Sequence, residues 1–125
     1  MDLDILIKEA TASMKMSIAN YSKFKVGAAL LGKSGKIYRG CNIESITGAL
    51  SICAERLAIM KALSEGERSF KAIVIVSSKG DYCFPCGTCR QILIEYASDC
   101  QIYLVSEKGI KKFMSYELLP YPFIR

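Results

Sequence analysis

Cys53-Ala54-Glu55-Arg56-Leu57-Ala58-Ile59-Met60-Lys61-Ala62-Leu63-Ser64, then Lys71-Ala72-Ile73-Val74-Ile75-Val76, then Pro85-Cys86-Gly87-Thr88-Cys89-Arg90-Gln91-Ile92-Leu93-Ile94-Glu95-Tyr96 is the part of the chain whose reading decides the fold. The first run is rich in good helix formers and sets Leu57, Met60 and Leu63 on one side, with Gly66 as a stop, so it predicts a helix from Cys53 to Ser64. The apolar run from Lys71 to Val76 is too short for a typical helix and rich in β-branched residues, so it predicts a fully buried strand. The third run predicts a helix from Gly87 to Tyr96.

Working outward, Leu3, Leu6, Ile7, Ala10 and Met14 recur at helical spacing and predict an amphipathic helix from about Asp2 to Ser17. Phe24 to Leu31 is apolar and strand-like; Gly32-Lys33-Ser34-Gly35 turns it back into Lys36 to Cys41, the pattern of a β-hairpin. Gln101 to Val105 and Ile110 to Met114 predict two more strands. The order is αββαβαββ. Helices interleaved with strands must cover the faces of a sheet, so the expected class is α/β, a three-layer α/β/α sandwich with a mixed five-stranded sheet. No repeat, low-complexity stretch or linker interrupts the chain, and residues 1–125 are expected to form a single domain.

Composition agrees with that size and narrows the chemistry. Of the 125 residues, 51% are hydrophobic and 23% charged, an ordinary balance for a chain that builds a core. The chain has no histidine, which removes Ser-His-Asp triads, Cys-His pairs and the HExxH zinc helix. Acid–base work near neutral pH falls to one of twelve carboxylates or to a cysteine, tyrosine or lysine with a shifted pKa. The net charge of +5, with Lys111-Lys112 as its longest basic run, is no nucleic-acid footprint. The apolar runs are far shorter than the roughly 20 residues of a membrane helix, so neither nucleic acid nor membrane is an expected partner. Six cysteines are too few for a disulfide scaffold, and Met1-Asp2-Leu3-Asp4 does not read as a signal peptide. The expected location is the cytoplasm.

Cys53, Cys86 and Cys89 all stand at predicted helix starts, where exposed N–H groups and the helix dipole favour the thiolate, the form that binds metal. Three protein ligands with a fourth position open is the arrangement of a catalytic zinc. Glu55, two residues after Cys53, can then stand beside the metal without ligating it and act as a proton shuttle. Rival readings stay open. Cys83-Phe84-Pro85-Cys86 is also a CxxC, so Cys83 can supply a fourth ligand and make a structural zinc module; Cys86 and Cys89 can be an exchanging redox pair. Cys41 and Cys100 read as small buried residues.

The combination of CxE and PCxxC resembles the cytidine deaminase family, in its short, all-cysteine, homotetrameric branch. The likeness runs along Tyr21-Ser22-Lys23-Phe24-Lys25-Val26-Gly27-Ala28-Ala29-Leu30, Gly40-Cys41-Asn42-Ile43-Glu44, Cys53-Ala54-Glu55-Arg56, Pro85-Cys86-Gly87-Thr88-Cys89-Arg90-Gln91 and Glu117-Leu118-Leu119-Pro120. The resemblance implies one Zn2+ per chain on Cys53, Cys86 and Cys89, and Glu55 as general acid/base. It further implies Asn42 and Glu44 on the sugar of a small nucleoside substrate, Phe24 beside the pyrimidine ring, the Ala54 backbone against the base, and Phe123 lent to a neighbouring subunit of a homotetramer. Arg56 resembles the family arginine that hydrogen-bonds the cysteine ligands. The expected reaction is hydrolytic deamination of cytidine and deoxycytidine in pyrimidine salvage. Two departures stand out: Gly48 occupies a position where the nucleoside enzymes usually carry tyrosine, and Phe84 replaces a small residue before the PCxxC motif. Thr47-Gly48 resembles the related blasticidin S deaminases, which is the alternative reading; Glu44 matches the cytidine enzymes instead.

Overall fold

A computed structural model describes all residues, Met1–Arg125. The elements run α1 (Leu3–Met14), β1 (Val26–Gly32), β2 (Ile37–Cys41), a 3-10 turn (Gly48–Leu50), α2 (Ala54–Ser64), β3 (Phe70–Ser77), α3 (Gly87–Tyr96), β4 (Gln101–Ser106), β5 (Gly109–Met114) and α4 (Ser115–Leu118). The five strands form one mixed sheet in the order β2-β1-β3-β4-β5. β1 pairs antiparallel with both β2 and β3, β3 pairs parallel with β4 through the α3 crossover, and β4 pairs antiparallel with β5.

Strand alternation splits the core into two faces. On one face, Ala28 and Leu30 of β1, Ile73 and Ile75 of β3, and Ile102 and Leu104 of β4 pack with Ala58, Ile59 and Ala62 of α2 and Leu93 of α3. On the other, Ala29, Ala72, Val74 and Val76 receive Leu6 and Ala10 of α1. The result is the expected α/β/α sandwich, with α1 alone on one side and α2 and α3 together on the other.

Two glycines set how closely the layers approach. A Cβ on Gly27 of β1 would lie 2.1 Å from the Ala10 carbonyl oxygen of α1, and a Cβ on Gly40 of β2 would lie 2.1 Å from the Ala54 carbonyl oxygen of α2. Only a residue without a side chain lets each helix rest directly on the sheet there.

The structure departs from the sequence reading at a few ends. α1 stops at Met14 instead of Ser17: the Ser17 N–H turns back to Met14 O, and the Ser17 hydroxyl donates to Val26 O, drawing the chain toward the sheet. β1 begins at Val26 instead of Phe24, because the Phe24 N–H and C=O are taken by the side chains of Ser22 and Asn42 and the Lys25 N–H by Ser78. The 3-10 turn and α4 were not expected; three and four residues are too short to carry a readable period. No helix is long and apolar enough to cross a membrane.

Candidate active site

Cys53 is the N-cap of α2 and Cys86 the N-cap of α3, and Cys89 lies in the first turn of α3. Neither N-cap thiol caps the backbone of its own helix, so both can face the other thiols. α2 and α3 start at the same end of the same sheet face and bring the three sulfurs together. Cys53 Sγ is 3.7 Å from Cys86 Sγ, and Cys86 Sγ is 3.5 Å from Cys89 Sγ. All three lie within 4.8 Å of one another. Tetrahedral Zn–S bonds of ~2.3 Å require sulfurs about 3.8 Å apart. The donor set fits zinc in both spacing and chemistry: three soft thiolates, no histidine, and one face open.

The approach to Cys53 is held on both sides. Ile43 and Ile52 exchange backbone hydrogen bonds of 3.0 Å in each direction, an isolated bridge that fixes the residue before Cys53 against the chain leaving β2. On the α3 side, Arg90 Nε donates to the Pro85 carbonyl at 2.7 Å, closing the loop that presents Cys86. Arg56 extends from α2 toward the thiols: one terminal nitrogen donates to Ser51 O at 3.2 Å and lies 3.9 Å from Cys53 Sγ, while its buried Nε has no partner.

Electrostatics at this spot are those of a tuned site. The Cys53 thiol is pulled down to about 5, first by its hydrogen bond with the Cys89 thiol and then by Arg56. Cys89 is pushed well up by the same bond and by burial. Burial pushes the Glu55 carboxyl up to about 7, with the Cys53 charge adding to the shift. Only 4% of Glu55 is exposed. Cys83 stands apart from the three clustered sulfurs, and burial pushes its thiol up to about 12. Cys100 is likewise raised to about 12 by burial, and Cys41 is buried, as their apolar reading requires.

Cys53, Glu55, Arg56 and Cys86 line a cleft of about 460 Å3 whose walls also include Phe24, Asn42, Glu44, Ala54 and Gly48. Phe24 is half-buried and Ala54 fully buried at the start of α2. Asn42 and Glu44 reach the cleft but also bond the chain itself. Asn42 Nδ2 donates to Phe24 O at 2.7 Å and its Oδ1 accepts the Val26 N–H at 2.8 Å. Glu44 accepts the Tyr21 and Ser22 N–H groups and the Ser22 hydroxyl, which holds its carboxyl below the usual range. Phe123 is not brought to this cleft. It is 68% exposed and pinned to α3 by Gln91, whose side chain accepts the Phe123 N–H at 3.1 Å and donates to its carbonyl at 3.2 Å. It borders a separate hollow of about 470 Å3 between α3 and the C-terminal tail, whose lining includes none of the three thiols.

The sequence reading missed Ser22, which shares the cleft wall with Phe24 and Glu44. Its only local signal was its place one residue before Lys23 and two before Phe24; the partner that defines it, Glu44, is distant in sequence.

The family model described as "Cytidine and deoxycytidylate deaminase zinc-binding region" matches residues 2–105. A cytidine deaminase of Sporosarcina psychrophila is 43% identical over 122 residues, covering 96% of this chain and 90% of that protein. A blasticidin-S deaminase of Bacillus cereus is 34% identical over 128 residues, covering 96% of this chain and 91% of that protein. Among solved structures, a cytidine deaminase from Burkholderia pseudomallei superposes with a TM-score of 0.92 at 38% identity, covering 98% of this chain and 100% of that one. With its three thiols at two helix starts and a buried glutamate between them, the chain belongs to the zinc-dependent cytidine and deoxycytidylate deaminase family.

Proposed function

We propose that residues 1–125 act as one catalytic domain that hydrolyses cytidine and deoxycytidine to uridine and deoxyuridine with release of ammonia. The observation that carries this reading is a buried carboxyl, Glu55, held two residues from Cys53 beside three converging thiols at the end of a nucleoside-sized cleft.

Cys53, Cys86 and Cys89 hold Zn2+, which supplies the Lewis acidity that makes water a nucleophile near neutral pH. Glu55 does the proton work. Its carboxylate takes a proton from the attacking water and its acid form delivers protons to ring N3 and to the departing amine; a pKa near 7 suits both directions. A C4–O bond forms, the C4–N bond breaks, and one water is consumed for each ammonia released. Three thiolates on a divalent ion leave one net negative charge, which blunts the metal; Arg56 beside Cys53 offsets part of it. Phe24 flanks the ring, the Ala54 backbone meets the base, and Asn42 and Glu44 engage the sugar. Phe123, turned away from its own cleft, serves a neighbouring subunit of a homotetramer. A cytoplasmic role in pyrimidine salvage accompanies this reading.

The test is the ultraviolet absorbance of cytidine with zinc-replete protein, with the product identified, repeated with Glu55→Gln. Conversion to uridine that disappears in the variant while zinc stays bound supports the deaminase. Undiminished function without metal would point to thiol redox chemistry, and bound zinc without any turnover to a structural module.

Blasticidin S is the second candidate substrate. Besides the Bacillus cereus relative, what favours it is Gly48: no atom lies within 4 Å of a Cβ added there, so the cleft wall is open where a ring would narrow it. A kcat/KM for blasticidin S above that for cytidine would make it the primary substrate.

A further inference from the structure

The loop between α1 and β1 is held by side chains to a degree that a surface turn does not need. Lys23 stands in the left-handed region with φ at 60°, a conformation that residues with a Cβ keep only where the surroundings hold them. Its N–H is bonded to Ala19 O at 2.9 Å. On one side of it, Glu44 Oε1 accepts the N–H groups of Tyr21 at 2.9 Å and Ser22 at 3.0 Å. On the other, Phe24 is bonded at both ends of its peptide: its carbonyl to Asn42 Nδ2 at 2.7 Å, its N–H to the Ser22 hydroxyl at 3.0 Å.

The Ser22 hydroxyl joins the two halves. It donates to Glu44 Oε2 and accepts from Phe24 N–H, so a single oxygen ties the carboxylate at one end of the cleft wall to the backbone that carries the aromatic side chain beside it. A hydroxyl does this because it donates and accepts at once; the same position occupied by alanine leaves Glu44 Oε2 and the Phe24 N–H without their partner, while the backbone bonds of Tyr21, residue 22 and Lys23 remain.

We propose that Ser22 is a positioning residue of the cleft: its hydroxyl clasps Glu44 to Phe24 and sets the distance between the sugar-facing carboxylate and the ring wall. The proposal rests on the nucleoside reading above, in which those two residues face opposite parts of one substrate. Ser22 is exposed and lies outside the hydrophobic core, so its replacement leaves the sheet packing in place.

The experiment compares the zinc-loaded wild type with Ser22→Ala and Ser22→Thr by cytidine kinetics and by residue-resolved amide hydrogen exchange. Ser22→Ala is expected to raise KM about tenfold with kcat within about twofold, the loss of one charge-assisted contact network acting on binding alone. The Phe24 amide is expected to exchange faster in Ser22→Ala while Ala29 and Val74 in the sheet are unchanged. Ser22→Thr, which keeps the hydroxyl, is expected to restore both. An unchanged KM, a fall in kcat at constant KM, unaltered Phe24 exchange, or a threonine variant as impaired as alanine would each overturn the proposal. Absence of cytidine turnover in the wild type would instead sink the cytidine reading, and the Phe24 exchange in the alanine variant would still decide the clasp.

Discussion

Gly40 and Ala54 stand so close that a Cβ on Gly40 would lie 2.1 Å from the Ala54 carbonyl oxygen and 2.8 Å from the Ala58 nitrogen. Ala54 separates Cys53 from Glu55, so the backbone of β2 at this point sets the height at which both chemical groups sit above the sheet. Neither atom is the end of a flexible side chain, and relief requires moving the first turn of α2.

Gly40→Ala should therefore damage the site through the fold. The expected cost is about 1–3 kcal/mol from overpacking, read as a lowered thermal midpoint, together with fewer than one zinc per chain on metal analysis. A variant with wild-type stability and full zinc would show that α2 does not depend on this approach.

The carboxyl of Glu55 gives the zinc-free protein a pH dependence of known sign. Its folded pKa of about 7 lies above the ordinary value of 4.5, so its contribution to stability is fully present below 4.5 and is lost as the pH rises through about 7. Cys53, lowered to about 5, acts in the opposite sense over part of that range, and its charge is one cause of the Glu55 shift, so the difference between wild type and Glu55→Gln includes this coupling. Relative to Glu55→Gln, the metal-free wild type should lose on the order of 3 kcal/mol between pH 4.5 and pH 8, measured by urea unfolding at each pH. A flat difference would mean that Glu55 is solvated.

Arg56→Gln should retain the fold and lower turnover about tenfold to a hundredfold, with some loss of zinc affinity, because the guanidinium offsets charge on Cys53 and braces Ser51. Circular dichroism, metal content and kcat measured on the same preparation check this. Normal turnover would remove Arg56 from the electrostatic account.

Cys83 and Cys89 separate the catalytic zinc from a four-thiol structural one. Cys89→Ser should abolish stoichiometric zinc binding, while Cys83→Ser should keep one zinc per chain, since Cys83 stands outside the three clustered sulfurs. Loss of zinc in Cys83→Ser would restore the structural-module reading.

Much of this arrangement was legible in the chain. α3 runs from Gly87 to Tyr96 as its pattern requires, and α2 and β3 differ from their expected ends by a residue. Those segments carry strong periods bounded by clear stops. The residues that escaped reading lie where the period is too short or the partner too distant: the turn at Gly48–Leu50, α4 at Ser115–Leu118, and Ser22, whose role exists only opposite Glu44. Asn42 and Glu44 were legible as polar residues near a strand end, but their bonds to Phe24, Val26, Tyr21 and Ser22 were not.

The sequence alone narrowed which chemistry was possible: without histidine, a metal site here had to draw on thiols and carboxylates, and CxE with PCxxC put each thiol at the start of a helix and a carboxylate beside one of them. Only the tertiary structure decided that the two helix starts meet. That required β1 and β3 to lie adjacent, α3 to cross over into β4 on the same face as α2, and Gly40 to let α2 settle on the sheet. Spacing along a chain sets what is local, including the 3.5 Å between the Cys86 and Cys89 sulfurs of one CxxC; the 3.7 Å between the Cys53 and Cys86 sulfurs and the burial that lifts Glu55 arise from contacts between segments far apart in sequence.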